Sequence, residues 1–185
     1  MIVAFTGFKR SGKDTCADFL VKNYGFVQYS FADTMRSFIK DTFLWDDDWL
    51  ENHKEEVDPR WGITYREVMT ILGTEWMQLD LCERYPLFKE TTGRNVWAKR
   101  FTYKFQQDPT VNYTISDLRF PHEEKVIRDL GGVIIRVMRK STKVSAHSSE
   151  AHIDEISFDD IIDNDGSIED LHCALKRSLS TLKII

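Results

Sequence analysis

Apolar residues along the chain follow two alternating patterns, short continuous runs and runs with helical spacing. The continuous runs, rich in β-branched and aromatic residues, predict buried strands at about 2–5, 26–31, 113–116, 133–138 and 158–162. Helical spacing predicts helices at about 12–23, 34–43, 64–79, 96–107 and 121–130, and a last one from 167. This alternation predicts an α/β fold with three layers, in which helices cover both faces of a parallel sheet of about five strands.

Local signals mark where some of these helices begin and where the pattern weakens. Thr64 is followed by Glu67 at the spacing of a capping box, and Ser167 is a capping residue for the last helix. The segment 44–62 is acidic, less regular and contains Asp58-Pro59, which favours a loop. The helix after Thr64 is expected to bury one apolar side.

The composition is typical of a globular protein, and the charge and hydropathy argue against nucleic-acid and membrane partners. The 185 residues suggest a single domain, 1–185, with 42% hydrophobic and 30% charged residues. A net charge of −5 argues against a dedicated nucleic-acid binder but leaves room for small phosphorylated ligands. No apolar run approaches the ~20 residues of a membrane span, and the first apolar residues form a strand rather than a signal peptide. We therefore expect a cytoplasmic protein without membrane partners.

The stretch GFKRSGKDT at 7–15 carries the clearest chemical signal. Gly7 and Gly12 bracket four residues and Lys13 follows, the spacing of a phosphate-binding P-loop between a strand and a helix. Glycine permits close approach of phosphate oxygens, while backbone N–H groups and the helix dipole attract negative charge. Lys13 adds a point charge for the β- and γ-phosphates of a bound nucleotide. Asp14 stands where Ser or Thr is usual, and its carboxylate suits Mg²⁺.

Other polar residues lie where the sheet should present its ligand edge. Lys9 and Arg10 add two cations to the loop, and Thr15 is placed to hydrogen-bond a phosphate. Asp117 ends an apolar strand, the Walker-B layout in which a carboxylate holds magnesium. Arg119 points the same way if the chain stays extended. The loop alone fits several classes, but no NKxD motif indicates a GTPase, and the short chain favours a small kinase over a helicase.

Motifs of one family occur in order along nearly the whole chain. They are KRSGKDTCADF from residue 9, REVMTILGTEW at 66–76, VWAKRF at 96–101, SDLRFPHE at 116–123, GGVIIRVMR at 131–139, HSSE at 147–150 and IIDNDGSIEDL at 161–171. With these motifs the sequence resembles the deoxynucleoside monophosphate kinases of bacteriophages, within the nucleoside monophosphate kinase group. That family's loop carries GKD-T, so Asp14 follows its pattern. Larger members have a long insertion where this chain has only 44–62.

The resemblance implies roles for individual residues. ATP phosphates would contact Lys9, Arg10, Ser11, Gly12, Lys13, Asp14 and Thr15, with Lys9 reaching toward the acceptor. The acceptor nucleotide would contact Arg66, Gly73, Thr74, Trp97, Asp117, Arg119 and Glu123, with Trp97 facing the base. Position in the fold adds Arg36 and Lys40 at the acceptor phosphate, Arg139 as a lid arginine, and Asn164 near the donor adenine. The acceptor region would span about 34–107, and the lid-like segment about 139–153.

The implied reaction is phosphorylation of a deoxynucleoside monophosphate to the diphosphate. The acceptor's phosphate oxygen attacks the γ-phosphoryl of Mg-ATP in line, while Lys13, Arg10 and Arg139 neutralise charge and Asp14 and Asp117 lie near magnesium. Two alternatives stay open: a kinase of another phosphorylated acceptor, of the dephospho-coenzyme-A or phosphomevalonate type, and a non-catalytic nucleotide-binding module. The sequence leaves open which deoxynucleotides are accepted and whether a homodimer forms. The compartment would be the cytoplasm, of the infected host cell if the protein is phage-encoded.

Overall fold

The computed structural model describes residues 1–140 and 152–185 and divides into two compact units. The sheet unit consists of Met1–Ser30 and Arg100–Ile185, and the helical unit is Phe31–Lys99. The helical unit covers most of the region predicted for acceptor binding, about 34–107. Most of the predicted lid-like segment, including the HSSE motif, lies outside the described residues. No helix in the described ranges is long and apolar enough to cross a membrane.

Strands and helices alternate along much of the chain. Their order is β1 (Ile2–Thr6), α1 (Lys13–Tyr24), β2 (Val27–Tyr29), α2 (Asp33–Phe43), α3 (Asp47–Asn52), β3 (Val57–Asp58), β4 (Ile63–Thr64), α4 (Tyr65–Thr70), a π-helix (Ile71–Asp80), α5 (Leu81–Arg84), α6 (Pro86–Thr91), α7 (Val96–Gln107), β5 (Tyr113–Ile115), α8 (Pro121–Asp129), β6 (Val133–Met138), a 3₁₀ turn (Ile153–Glu155), β7 (Asp160–Asp163) and α9 (Ile168–Thr181). The boundary between the two units falls within α7.

The sheet unit contains a five-stranded parallel sheet in the order β2-β5-β1-β6-β7. The central strand β1 is buried along its whole length and pairs with β5 and β6 in a register that sets Ile2 beside Tyr113 and Val3 beside Val133. Because all five strands are parallel, the loops after β1, β5, β6 and β7 leave the same edge of the sheet. The predicted α/β fold and strand number are confirmed, and the P-loop lies at this edge.

The core of the sheet unit anchors the P-loop at both ends. Phe5 of β1 and Leu20 of α1 belong to one buried cluster with Leu175 and Leu179 of α9. Cys16 lies fully inside it, and burial raises the pKa of its thiol to about 12. A thiol with so high a pKa behaves as a small apolar group rather than a nucleophile. The strand before the loop and the helix after it are therefore fixed by the same packing.

The helical unit has its own core and contains more structure than the sequence predicted. Its buried cluster is Met35, Ile39, Trp45, Leu50, Tyr65 and Val68. The segment 44–62, expected to be a loop, holds α3 and the first strand of the antiparallel pair β3–β4. Asp58 is buried and accepts hydrogen bonds from Trp45 Nε1 at 2.5 Å and from Arg60 Nη2 at 2.6 Å. These bonds hold the pKa of Asp58 well below its usual range, and the bond from Arg60 has the largest effect.

The helix predicted at 64–79 begins as expected and then changes type. Glu67 N–H donates to Thr64 Oγ1 at 3.1 Å and Thr64 N–H donates to Glu67 Oε2 at 2.8 Å, which confirms the capping box. From residue 71 the helix is of the π type, whose backbone bonds span five residues, as from Leu81 N–H to Trp76 O. On this segment Ile71, Trp76 and Leu79 are 46%, 46% and 37% exposed, whereas Leu72 packs against the core of the helical unit. The predicted apolar side is therefore buried only in part beyond residue 70.

Candidate active site

The P-loop contains three residues with positive φ, and the sequence predicted such conformations only at the two glycines. Gly7, Arg10 and Gly12 have positive φ values of 139°, 65° and 109°. Residues of alternating handedness turn successive N–H groups to one side, which makes a concave anion-binding surface. A Cβ on Gly7 would overlap the backbone carbonyl of Val137 in β6. Arg10 adopts the left-handed region without being glycine, so the surrounding structure imposes this conformation.

Lys13 is nearly buried at the start of α1. Only 8% of the residue is exposed, and its Nζ donates to the carbonyl oxygen of Phe8 at 2.7 Å. The bond ties the ammonium group to the backbone of the same loop. Ser11 is also buried. The Lys13 charge predicted for the β- and γ-phosphates is therefore held in place. The cationic residues Lys9 and Arg10 are exposed to solvent.

Both carboxylates predicted for magnesium are held by serine hydroxyls. Ser116 Oγ donates to Asp14 Oδ1 at 2.6 Å, and Ser30 Oγ donates to Asp117 Oδ2 at 2.7 Å. Gln28 Nε2 in turn donates to Ser116 Oγ at 3.4 Å. The sequence analysis missed both serines, although each directly follows a strand at the ligand edge of the sheet. Each bond fixes one oxygen of its carboxylate.

This donor set fits a magnesium ion. Mg²⁺ in phosphotransferases is usually held by one or two carboxylates, by phosphate oxygens and by water. Asp14 and Asp117 supply such carboxylates beside the P-loop. Within residues 1–140 and 152–185, no group of three or more His, Cys, Asp or Glu side chains could cage a metal. The residue types of Asp14 and Asp117 match the carboxylates that such an ion usually takes from a protein.

A cleft of about 290 Å³ opens beside the P-loop. Its lining residues are Arg10, Gly12, Asp14, Thr15, Arg139, Asn164, Gly166, Ile168 and Leu171. The structure thus brings together most of the residues predicted for the donor nucleotide, including Arg139 and Asn164 from distant parts of the sequence. Ile168 and Leu171 add an apolar wall that the sequence analysis assigned only to the packing of the last helix. One cleft therefore combines cationic, acidic and apolar groups suited to a nucleotide.

Asn164 occupies a more specific position than the sequence suggested. It is 7% exposed and follows β7, where its backbone N–H donates to Met138 O at 2.7 Å. Its side-chain Nδ2 donates to the carbonyl oxygen of Ser11 at 2.8 Å, inside the P-loop. A Cβ on Gly12 would lie 2.5 Å from the same nitrogen. The amide group expected near the adenine therefore has a backbone partner in the phosphate loop.

Glu123 is buried beneath the loop that carries Asp117 and Arg119. Its Oε2 accepts the N–H groups of Arg119 at 2.9 Å and Phe120 at 3.1 Å. Burial raises the pKa of this carboxyl to about 8, and the charge of Asp117 adds to the rise. Only 6% of the residue is exposed. The carboxyl predicted to line the acceptor site thus supports the backbone at Arg119.

The raised pKa of Glu123 predicts a pH-dependent stability. A carboxyl with an ordinary pKa of 4.5 and a folded-state pKa of about 8 favours folding fully below pH 4.5. This stabilisation is lost as the pH rises through 8. We expect Glu123→Gln, which keeps an oxygen for both N–H groups, to remove a slope of at most ~1.4 kcal/mol per pH unit from the free energy of unfolding. Urea unfolding between pH 5 and 8.5 measures this slope.

The matched control is Glu90→Gln, which changes an exposed carboxyl on α6. Its unfolding free energy should follow the wild-type pH profile, whereas that of Glu123→Gln should be flatter. Parallel profiles for Glu123→Gln and the wild type would show that Glu123 keeps an ordinary pKa in the folded protein.

Two residues predicted at the acceptor meet in the helical unit. Trp97 Nε1 donates to the carbonyl oxygen of Gly73 at 3.0 Å, and Gln78 Nε2 donates to the same oxygen at 2.8 Å. Gly73 is buried against Met35, whose sulfur would lie 2.5 Å from any added Cβ. These contacts fix the orientation of the Trp97 indole and place it beside the Gly73-Thr74 pair of the π-helix. Gln78 was missed because its polar side chain carries no signal in the apolar pattern.

Three cations predicted at the acceptor also lie in the helical unit, Arg36 and Lys40 for its phosphate and Arg66 for the nucleotide. Arg36 lies on α2, near the buried Tyr65. Lys40 pairs with Asp47 at 2.6 Å, and Arg66 pairs with Glu55 at 2.6 Å. In both pairs the acidic side chain is largely exposed. Such surface pairs contribute only about 0–1 kcal/mol, so an incoming phosphate can replace the carboxylate at small cost.

The sheet order and the loop together define the class of this protein as a P-loop α/β protein. Its fold is similar to that of a dephospho-CoA kinase from Campylobacter jejuni, with a TM-score of 0.50 and 12% identity over 98% of this chain and 96% of that one. TT1252 from Thermus thermophilus matches with a TM-score of 0.50 and 16% identity over 98% and 97% of the two chains. These likenesses confirm the predicted P-loop α/β fold.

Sequence comparison identifies the family within that class. The family model for deoxynucleotide monophosphate kinases matches residues 1–59 and 49–175. A relative from Acanthamoeba polyphaga mimivirus, assigned by name to the same family, is 30% identical over 182 residues, 93% of this chain and 92% of its own. The deoxynucleotide monophosphate kinase of Enterobacteria phage T4 is 23% identical over 252 residues, 98% of this chain and 99% of its own. The chain belongs to the deoxynucleotide monophosphate kinase family and is a kinase, as the resemblance implied.

Proposed function

We propose that this kinase transfers the γ-phosphoryl group of Mg-ATP to the 5′-phosphate of a deoxynucleoside monophosphate. The observation that carries the proposal is the P-loop beside a cleft of about 290 Å³, with the Lys13 ammonium group held in the loop. Family membership supports the deoxynucleotide as acceptor. The reaction draws on cytoplasmic pools of ATP and deoxynucleotides, of the infected host cell if the protein is phage-encoded.

The donor triphosphate occupies the P-loop and the cleft beside it. Backbone N–H groups of the loop and the N-terminal end of α1 bind the phosphates, and Lys13 and Arg10 counter their charge. Arg139 lines the same cleft and supplies a further cation. The apolar wall of Ile168 and Leu171 accommodates a base. Asp14 and Asp117 would hold Mg²⁺, which when bound neutralises charge on the phosphate oxygens.

In the helical unit, the residues proposed for the acceptor are three cations and one aromatic side chain. Arg36, Lys40 and Arg66 provide charge for its phosphate, and Arg36 is the strongest candidate because a guanidinium grips phosphate through two hydrogen bonds. The indole of Trp97 stacks on the base, a contact worth about 1–3 kcal/mol. In the sheet unit, Asp117 and Arg119 are proposed separately as acceptor contacts, and Glu123 supports the backbone at Arg119.

In this reaction the protein mainly positions the two substrates and neutralises the negative charge of their phosphates. An acceptor phosphate oxygen is already anionic near neutral pH, so attack on the γ-phosphoryl requires no general base. Fixed cations around the transferred group stabilise the charge that spreads over its oxygens in the transition state. Exclusion of water from the assembled site limits hydrolysis of ATP.

Acceptor profiling tests this function. We expect ADP release, measured by a coupled assay with Mg-ATP, to depend on the presence of at least one of the four common deoxynucleoside monophosphates. Dephospho-coenzyme A and phosphomevalonate serve as the competing acceptors. Turnover with one of these but with no deoxynucleotide would replace the proposed acceptor class. Tight ATP binding without transfer to any acceptor would instead indicate a nucleotide-binding module.

A further inference from the structure

Asn164 links the end of the sheet to the interior of the P-loop. Its side-chain Nδ2 donates to Ser11 O at 2.8 Å in a buried bond, and its backbone N–H donates to Met138 O at 2.7 Å. The first bond joins residues 153 positions apart in the sequence. The second fixes the residue to the end of β6. A rigid strand end thus reaches one particular peptide group of the loop.

Because the peptide bond is planar, the bond from Asn164 to Ser11 O also determines the direction of the Gly12 N–H group. In a planar trans peptide the carbonyl oxygen and the following N–H point in opposite directions. Holding the carbonyl of Ser11 toward Asn164 therefore turns the N–H of Gly12 away from it. Gly12 lines the cleft beside the loop, and as a glycine it has no side chain of its own that could cover its N–H group.

The opposite orientation of this peptide group would harm phosphate binding. A carbonyl oxygen that faces the phosphates repels them, whereas an N–H group donates a hydrogen bond. Glycine restrains its backbone less than any other residue, so Gly12 alone does not select one orientation. The packing between Gly12 and the Asn164 amide leaves no space for a Cβ and so keeps the two groups in contact.

We propose that Asn164 is a positioning residue of the phosphate loop, which fixes the Ser11-Gly12 peptide so that the Gly12 N–H serves a phosphate oxygen of the donor. This inference rests on the proposed function of the loop. It assigns the side-chain amide to the loop backbone rather than to the adenine. The residue acts on the triphosphate part of the donor and is indifferent to the base.

The test separates binding of phosphate from binding of the base. Inorganic tripolyphosphate carries the phosphates without a nucleoside, and calorimetry with Mg²⁺ measures its affinity without any acceptor. We expect Asn164→Ala and the similarly sized Asn164→Leu to weaken tripolyphosphate, ATP and GTP alike, each by about tenfold or more. The KM for ATP should rise by a similar factor, while the KM for the acceptor stays within about twofold.

The matched control is Asn23→Ala, which removes a bond of the same kind in the same unit. Asn23 Nδ2 donates to Phe19 O at 2.9 Å, far along α1 from the P-loop. This variant should bind tripolyphosphate as the wild type does. A normal tripolyphosphate affinity in folded Asn164→Ala, or a changed preference between ATP and GTP, would overturn the proposal.

A measurement on the wild-type protein covers the case in which both variants fail to fold. In an amide NMR titration, tripolyphosphate should shift the Gly12 N–H resonance strongly and slow its hydrogen exchange. An unmoved Gly12 resonance with bound tripolyphosphate contradicts the role of Asn164 but not the kinase function. Absence of any tripolyphosphate binding by the wild type contradicts the proposed loop function itself.

Discussion

Replacing Lys13 by alanine is expected to lower kcat by about 10²-fold or more, because it removes a cation from the charge that develops during transfer. The side chain is 8% exposed and its Nζ is held by Phe8 O at 2.7 Å, so the charge stands in the loop before the nucleotide arrives. A charge that needs no rearrangement during the reaction contributes more to the transition state than to binding. The effect should therefore fall on kcat more than on the KM for ATP.

Single-turnover kinetics with saturating ATP and acceptor measure the loss. Lys125→Ala is the matched control, because Lys125 is an exposed lysine paired with Asp129 on α8. Its kcat should equal that of the wild type. Thermal unfolding shows whether Lys13→Ala is folded, and near-native turnover by a folded variant would mean that the loop does not hold the transferred phosphoryl group.

Replacing Gly7 by alanine is expected to abolish ATP binding and to destabilise the fold by about 3 kcal/mol or more. The backbone at Gly7 has a φ of 139°, a conformation closed to alanine. An added Cβ would overlap the carbonyl of Val137 and lie 3.0 Å from Ser11 Oγ. Val137 is in the buried strand β6, whose backbone is fixed by pairing on both sides. The loop must therefore move, and its N–H groups lose their arrangement.

Two other glycines provide the control for backbone strain alone. Gly25 and Gly131 have φ values of 68° and 74°, and nothing lies within 4 Å of a Cβ added to either. Gly25→Ala and Gly131→Ala should cost only about 1–2 kcal/mol and should keep the wild-type affinity for ATP. Calorimetric titration with ATP and urea unfolding make the comparison. If Gly7→Ala binds ATP as Gly25→Ala does, the loop tolerates a side chain and its tight approach to β6 is unimportant.

Features with a local cause were predictable from the sequence. The buried strands of a parallel sheet are continuous apolar runs, so the sheet and the strand before the P-loop were correctly located. The capping boxes at Thr64 and Ser167 depend on residues three positions apart, and the structure shows both. The helix α3 also has a local signal, because Asp46 accepts the N–H of Trp49 at 2.8 Å. The surrounding acidic run obscured that cap.

Features that depend on distant residues were not predictable in the same way. The hydrogen bond between Ser116 and Asp14 joins residues 102 positions apart, and the pattern of apolar and polar residues along the chain does not predict such a contact. The segment Ile71–Asp80 follows a normal helical pattern in sequence, yet it forms a π-helix on which Trp76 is 46% exposed. Family resemblance supplied candidates such as Trp97 and Glu123, but only the structure shows that one indole is tied to Gly73 and that the other side chain supports a backbone. The assigned roles in catalysis remain predictions.

The order of strands in the sheet also governs when the protein can become functional during its synthesis. β1 leaves the ribosome before the strands with which it pairs. Ile2 pairs with Tyr113 and Val3 pairs with Val133, so β1 can pair on both sides only after β5 and β6 have been synthesised. Pairing between such distant segments forms slowly and leaves an unpaired strand exposed to other chains. Asn164 emerges later still. A chain released before β6 has been made would leave β1 without one of its two partners and open to pairing with other chains.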